Sequence, residues 1–170
     1  NAVSCSLCPV DSFQDRQAQA TCKSCSDLST HDVGASSTYG VTGAASSDAC
    51  LCVAGYEPWQ YNALRHHSCV ECRADYYCPG QSYQMGSGKV ACPDPGGLAP
   101  GGSDEESDCY CEAGYFWSTE SGASCEVCPQ NHYCVEGTTT PVACTDSSSS
   151  PPQSVSEDAC VCDVGYEPEG

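Results

Sequence analysis

The pattern Cys-x-Cys-x-x-Gly-Tyr occurs three times in this chain, at Cys50 to Tyr56, Cys109 to Tyr115 and Cys160 to Tyr166. A chain that repeats its cysteines in this way folds as a series of small crosslinked units, because each repeat is too small to bury a core of its own. Between and before the copies stand four Cys-x-x-Cys pairs: Cys5 with Cys8, Cys22 with Cys25, Cys69 with Cys72, and Cys125 with Cys128.

The rest of the composition agrees. With 18 cysteines in 170 residues, but only two Phe, one Met, two Trp and no Ile, hydrophobic burial does not offset the ordering entropy of the backbone. Disulfides supply the difference, each contributing roughly 2 to 4 kcal/mol by restricting the unfolded chain. They persist only in an oxidising compartment, which predicts a secreted or cell-surface protein. No run approaches the ~18 apolar residues of a membrane span. No charged and apolar leader begins at Asn1, so a signal peptide is expected to have been removed upstream. The net charge of -18, from 23 acidic and 5 basic residues, opposes binding to nucleic acid or anionic lipid and suits a hydrated surface.

Within the repeated motif, Gly55, Gly114 and Gly165 are expected at positive φ in tight turns. Tyr56, Tyr115 and Tyr166 then stand where a ring covers a disulfide or wedges against the next repeat. Trp59 and Trp117, just beyond, are assigned to repeat junctions. Stretches rich in Ser, Gly and Pro precede each Cys-x-Cys (GASSTYGVTGAASSDA, DPGGLAPGGSDEESD and TDSSSSPPQSVSEDA). They carry too little apolar area to pack and read as surface loops. Asn1, Asn62 and Asn131 lack the hydroxyl of a sequon, so any glycan is O-linked. The candidates are Thr138, Thr139 and Thr140 beside Pro141, and Ser147, Ser148, Ser149 and Ser150 beside Pro151.

Cys5-x-x-Cys8-Pro9, Cys22-x-x-Cys25 and the run GASSTYGVTGAASSDACLCVAGY, together with the internal YYCPG (Tyr76 to Gly80) and HYCVEG (His132 to Gly137), resemble the ephrin-type-receptor-like cysteine-rich modules, relatives of EGF-like repeats. The resemblance covers nearly the whole chain. It implies a small disulfide-rich fold: tandem EGF-like modules of short β-hairpins and loops in an elongated rod, with little helix. On the EGF pattern residues 1–7 end a preceding module, and modules occupy 8–69, 72–125 and 128–170, the last without its sixth cysteine.

The EGF-type order, first to third, second to fourth and fifth to sixth, implies Cys8 with Cys25, Cys22 with Cys50 and Cys52 with Cys69. It further implies Cys72 with Cys92, Cys78 with Cys109, Cys111 with Cys125, Cys128 with Cys144 and Cys134 with Cys160. In the first module the rival pairing of Cys8 with Cys22 and Cys25 with Cys50 stays open, because thirteen residues separate Cys8 from Cys22 where the other modules have five. One or two helical turns are expected in that longer segment, Asp11 to Ala20. Cys5 and Cys162 remain as half-cystines for bridges between repeats. Joining Gly170 to another Asn1 would leave twelve residues between them, close to the spacing inside modules one and two.

Two metals compete with bridges on paper. Zinc uses paired thiolates, but the module register accounts for the thiols, so no metal site is assigned. Calcium-binding EGF modules carry an Asp or Asn two residues after the third cysteine; Asp27, Asp94 and Asp146 satisfy that half of the pattern, while the Asp-x-Asp/Asn-Glu entry before Cys8, Cys72 and Cys128 is missing. Neither His31, His66, His67 nor His132 falls in a catalytic motif. The chain therefore reads as a non-enzymatic extracellular structural repeat, without cofactor, of a fibre, appendage or adhesin shaft. Its partners are further copies head to tail or neighbouring repeats, with O-linked glycans as candidate decoration. The alternative is a receptor or adhesion ectodomain that binds a protein ligand, for which Trp59 and Arg65 stand as a tryptophan and an arginine near each other in sequence.

Overall fold

A computed structural model describes residues 4–28, 36–61, 67–81, 88–93, 95–120 and 122–168. His31, Asn62, Arg65, His66, Asp94 and Asn1 lie outside the described residues. The chain divides into two compact units, one of residues 1–90 with 101–105 and one of 91–100 with 106–170.

Half-cystines form most of the buried hydrophobic residues among those described. In the first unit Phe13, Cys25, Ala44 and Cys50 make one small cluster, with Leu28 and Ala49 against it, and Cys52 and Cys69 make a second under Tyr56. Short antiparallel pairs carry these clusters: Ser12–Phe13 with Lys23–Ser24, Ser36–Ser37 with Leu51–Cys52, and the longer hairpin of Tyr56–Tyr61 with His67–Glu71. In the second unit Gly97–Leu98 pairs with Tyr110–Cys111, Tyr115–Ser118 with Ser124–Val127, His132–Tyr133 with Val142–Ala143, and Ser148–Ser149 with Val161–Cys162. Helical structure among the described residues is confined to 3-10 turns, three of which end immediately before Cys50, Cys109 and Cys160.

The helical turns expected between Asp11 and Ala20 do not form. Phe13 is wholly buried in the first cluster, and burying it fixes Ser12–Phe13 as strand. The Ser, Gly and Pro stretches also do more than cover the surface. They supply the strands Ser36–Ser37, Gly97–Leu98 and Ser148–Ser149 that pair with each Cys-x-Cys, and they bury small residues: Thr38, Ala99, Ser103, Ser150 and Ser154. Such residues pack because they are small and hydrogen-bonded: the Ser150 hydroxyl donates to the His132 carbonyl at 2.8 Å, and the Ser154 hydroxyl to the Pro151 carbonyl at 2.7 Å.

Disulfide order is the main correction. Cys52 joins Cys69 and Cys111 joins Cys125, but the interleaved EGF pairs are replaced by sequential ones. The structure links Cys8 to Cys22, Cys25 to Cys50, Cys72 to Cys78, Cys92 to Cys109, Cys128 to Cys134 and Cys144 to Cys160. The expected bridges Cys8–Cys25, Cys22–Cys50, Cys72–Cys92, Cys78–Cys109, Cys128–Cys144 and Cys134–Cys160 are therefore absent. The physical reason is a reversal three residues after the first cysteine. Asp75 and Asn131 sit at φ 69° and 65°, a left-handed geometry that Asp and Asn adopt more readily than other side-chain-bearing residues. That reversal returns Cys78 and Cys134 to within a Cα distance of 5.9 Å of Cys72 and Cys128.

Asp11, at φ 58°, makes the same reversal after Cys8. Gln14 then takes the place of the returning cysteine: its amide donates to the Ala44 carbonyl at 3.0 Å, as Cys78 does to Ser103 and Cys134 to Ser154 at 3.0 Å each. The partner cysteine arrives later, as Cys22, from an inserted loop. This accounts for the longer first spacing.

Candidate functional site

The recurrent geometry lies where one repeat meets the next. Gly55, at φ +81°, donates its amide to the Cys78 carbonyl at 2.9 Å and accepts from the Cys72 amide at 2.8 Å. Gly114, at φ +89°, does the same in the second unit, with Cys134 at 2.8 Å and Cys128 at 2.9 Å. Each glycine is thus clamped on both backbone groups by the Cys-x5-Cys loop of the repeat that follows. A third strand of chain closes over it: a Cβ on Gly55 would stand 2.9 Å from the Gly102 oxygen, and one on Gly114 would stand 3.0 Å from the Gln153 oxygen. Positive φ was expected for these glycines; the close approach of the following repeat was not.

Further bonds repeat with the same spacing. Gln81 and Gly137 donate to the carbonyls of Cys52 and Cys111, both at 2.8 Å, and Gly102 and Gln153 donate to those of Cys72 and Cys128, again at 2.8 Å. In the first unit Tyr39 adds a side-chain bolt, its hydroxyl donating to the Cys52 carbonyl and accepting from the Gln81 amide, each at 3.0 Å. In the second, the Gln153 amide donates to the Tyr115 hydroxyl at 3.0 Å.

One junction also carries charge. Glu57 is 1% exposed, and its carboxylate accepts from Arg73 Nε at 2.6 Å and Nη2 at 3.2 Å, with Lys89 Nζ 3.3 Å away. Arg73 also lies over the Trp59 ring at 5.7 Å, and Lys89 over Tyr76 at 4.7 Å. Burial pushes the Glu57 carboxyl up, but the hydrogen bonds and charges of Arg73 and Lys89 outweigh it and hold the group below its ordinary value. Reading the sequence did not find this cluster. Its signal was the acid placed directly after Gly-Tyr and the arginine directly after the next first cysteine.

Of the other expected residues, Cys5 and Cys162 are exposed and unbridged. Thr139 and Thr140 are exposed, Thr138 is half-buried with its hydroxyl on the Val135 carbonyl at 2.6 Å, and Ser147, Ser148 and Ser149 are half-buried. Ser150 is buried with its hydroxyl engaged. Asp27 accepts from the Ser24 amide at 3.3 Å. Among the described residues no group of three His, Cys, Asp or Glu is gathered as a metal site, and no helix is long and apolar enough to cross a membrane.

Sequential bridges, minimal hairpins and backbone-clamped junctions define a tandem cysteine-rich repeat of extracellular type. The comparisons sharpen that class. The family model described as tyrosine-protein kinase ephrin type A/B receptor-like matches residues 1–50. Cysteine repeat modular protein B of Toxoplasma gondii is 30% identical over 145 residues, 84% of this chain and 2% of that protein. Cysteine repeat modular protein A of the same organism is 37% identical over 87 residues, 42% of this chain and 3% of that protein. A mouse protein, sushi, von Willebrand factor type A, EGF and pentraxin domain-containing protein 1, is 37% identical over 82 residues, 47% of this chain and 2% of that protein. No solved structure matches. Residues 1–50 thus carry the ephrin-type-receptor-like match, the chain as a whole is a disulfide-rich series of cysteine-rich modules, and it spans only a few hundredths of the length of these relatives.

Proposed function

We propose that this chain is a structural repeat of an extracellular or cell-surface fibre, appendage or adhesin shaft, with residues 8–69, 72–125 and 128–170 as successive repeats joined end to end. The observation that carries the reading is the double clamp on Gly55 and Gly114, in which the recurring turn of one repeat holds the next one. The same register leaves Cys162 without the partner that Cys52 and Cys111 have, and Cys5 without the partner of Cys69 and Cys125. In the assembled protein each bridges to a neighbouring repeat, supplied by the same polypeptide or by another copy head to tail. Thr139 and Thr140 are the O-glycan acceptors with accessible hydroxyls, whereas the Ser150 hydroxyl is committed to His132.

Peptide mapping of unreduced native material tests the reading, together with electron micrographs of it. Cys5 and Cys162 each bridged to a cysteine of another repeat, in a periodic assembly, is the expected result. Free thiols at both positions in native material, or a soluble monomer bound to a folded ligand, would replace it with the ligand-binding alternative. Glycan mass spectrometry is expected to find Thr139 or Thr140 occupied and Ser150 bare.

A further inference from the structure

The two clamped junctions differ at one coupled pair of positions. In the first, Glu57 follows Gly55-Tyr56 and Arg73 follows Cys72, and the two meet at 2.6 Å. In the second, Phe116 follows Gly114-Tyr115 and Pro129 follows Cys128, so neither member of the ion pair is present. At these two junctions acid and arginine are both present or both absent. The reason is energetic: without the arginine, the carboxylate buried at the first junction would keep only Lys89, 3.3 Å away, against its charge.

The third copy, Gly165-Tyr166-Glu167-Pro168, returns to the sequence of the first, Gly55-Tyr56-Glu57-Pro58. Its surroundings are open. Gly165 has the same left-handed conformation, φ +98°, with nothing within 4 Å of a Cβ, where Gly55 and Gly114 meet the following repeat. Tyr166 is 63% exposed, and Val164 and Glu167 are exposed beside the unbridged Cys162.

Resting on the reading of the chain as one of a series of repeats, we propose that the face of Gly165, Tyr166 and Glu167 docks a cysteine-rich repeat whose first cysteine is followed by arginine, Glu167 receiving that guanidinium as Glu57 receives Arg73. A second copy of this chain is the poorer occupant. Its first repeat carries Pro9 after Cys8, and its Arg16 falls at the position of Gly80 and Glu136, eight residues after the first cysteine. The residue after Gly-Tyr thereby acts as an address that sets which repeat follows which, a discrimination made by charge matching at one buried position.

Secreted extensions of the full chain test this. Appending a copy of residues 61–127 after Gly170 places sixteen residues between Cys162 and the copied Cys69, the same number as between Cys52 and Cys69, and leaves every appended cysteine a partner. A second extension appends a copy of residues 1–69, offering Cys5 and Pro9 instead. The readout is the equilibrium constant of the Cys162 bridge in glutathione buffers. The arginine-bearing extension is expected to form it at least tenfold more favourably. Arg73→Ala in the appended copy, or Glu167→Gln, should each remove that advantage, and the two together should remove no more than either alone. Equal bridge stability in both extensions, or additive losses in the double variant, overturns the charge matching while leaving the series of repeats intact. Failure of Cys162 to bridge in either extension overturns both.

Discussion

Arg73 Nε lies 2.6 Å from Glu57 Oε1, so the residue that opens one repeat neutralises a buried carboxylate in the hairpin of the repeat before it. Glu57→Gln is expected to lower stability by about 1.5–3 kcal/mol at neutral pH, the usual range for hydrogen bonds to a charged group. Arg73→Ala should act in the same direction, leaving the buried carboxylate to Lys89 alone. Denaturant titration of disulfide-intact protein measures both, and an unchanged midpoint for Glu57→Gln would contradict the assignment.

The same pair fixes a pH dependence. Glu57 is held below its ordinary value in the folded state, and Asp11 is lowered too, by hydrogen bonds from the Ser37 hydroxyl and the Thr38 amide. The folded protein therefore binds fewer protons than the unfolded chain. Stability is full above the unfolded carboxylate value of about 4 and is lost as pH falls through the lower folded values. In Glu57→Gln the acid-side loss should shrink, and the gap from the parent should close at low pH. Thermal midpoints across that range would show it.

Alanine at the three motif glycines should separate conformation from contact. Each costs about 1–2 kcal/mol for placing a Cβ at positive φ. Gly55→Ala adds a clash with the Gly102 oxygen at 2.9 Å, and Gly114→Ala one with Gln153 at 3.0 Å, whereas Gly165→Ala meets open space. The first two are expected to exceed the third by roughly 1 kcal/mol or more. Equal losses at all three would mean that the clamp contributes nothing beyond turn geometry.

Bridge removal should scale with the loop enclosed. Cys25–Cys50 spans 25 residues and Cys72–Cys78 spans 6, so the chain-entropy model gives about 3.5 and about 2.2 kcal/mol respectively. Replacing both cysteines by alanine should widen that difference, because Cys25 and Cys50 also pack Phe13. A greater loss from removing Cys72–Cys78 would show that this bridge stabilises the folded chain by more than closing its six-residue loop.

Alkylating the isolated, unreduced 170-residue chain should label Cys5 and Cys162 and leave the others protected. Complete tryptic cleavage after Arg65, Arg73 and Lys89 distinguishes this from an interleaved arrangement, in which Cys72 would hold its peptide to the one carrying Cys92 instead of the one carrying Cys78.

The hairpin closed by Cys52 and Cys69, and its counterpart closed by Cys111 and Cys125, were legible because the fifth and sixth positions are shared by the EGF-type and sequential orders. The order of the others was not. It depends on the left-handed residue three places after the first cysteine, Asp11, Asp75 or Asn131, and that turn chemistry is visible in sequence only when the three segments are aligned on their first cysteines. Gln14 hid the alignment by standing where a cysteine was expected. Glu57 and Arg73 were illegible for another reason: sixteen positions apart, they are joined only when the hairpin of one repeat folds against the loop of the next.

The clamp on Gly55 has a consequence for how such proteins are cut and recombined. Counted by bridges, a repeat ends at Cys69; counted by backbone bonds, the hairpin closed by Cys69 finds its partners at Cys72 and Cys78. The covalent period and the packing period are out of phase. A six-cysteine block transplanted whole thus carries a turn shaped for a neighbour left behind, and its new neighbour inherits the fit or the misfit.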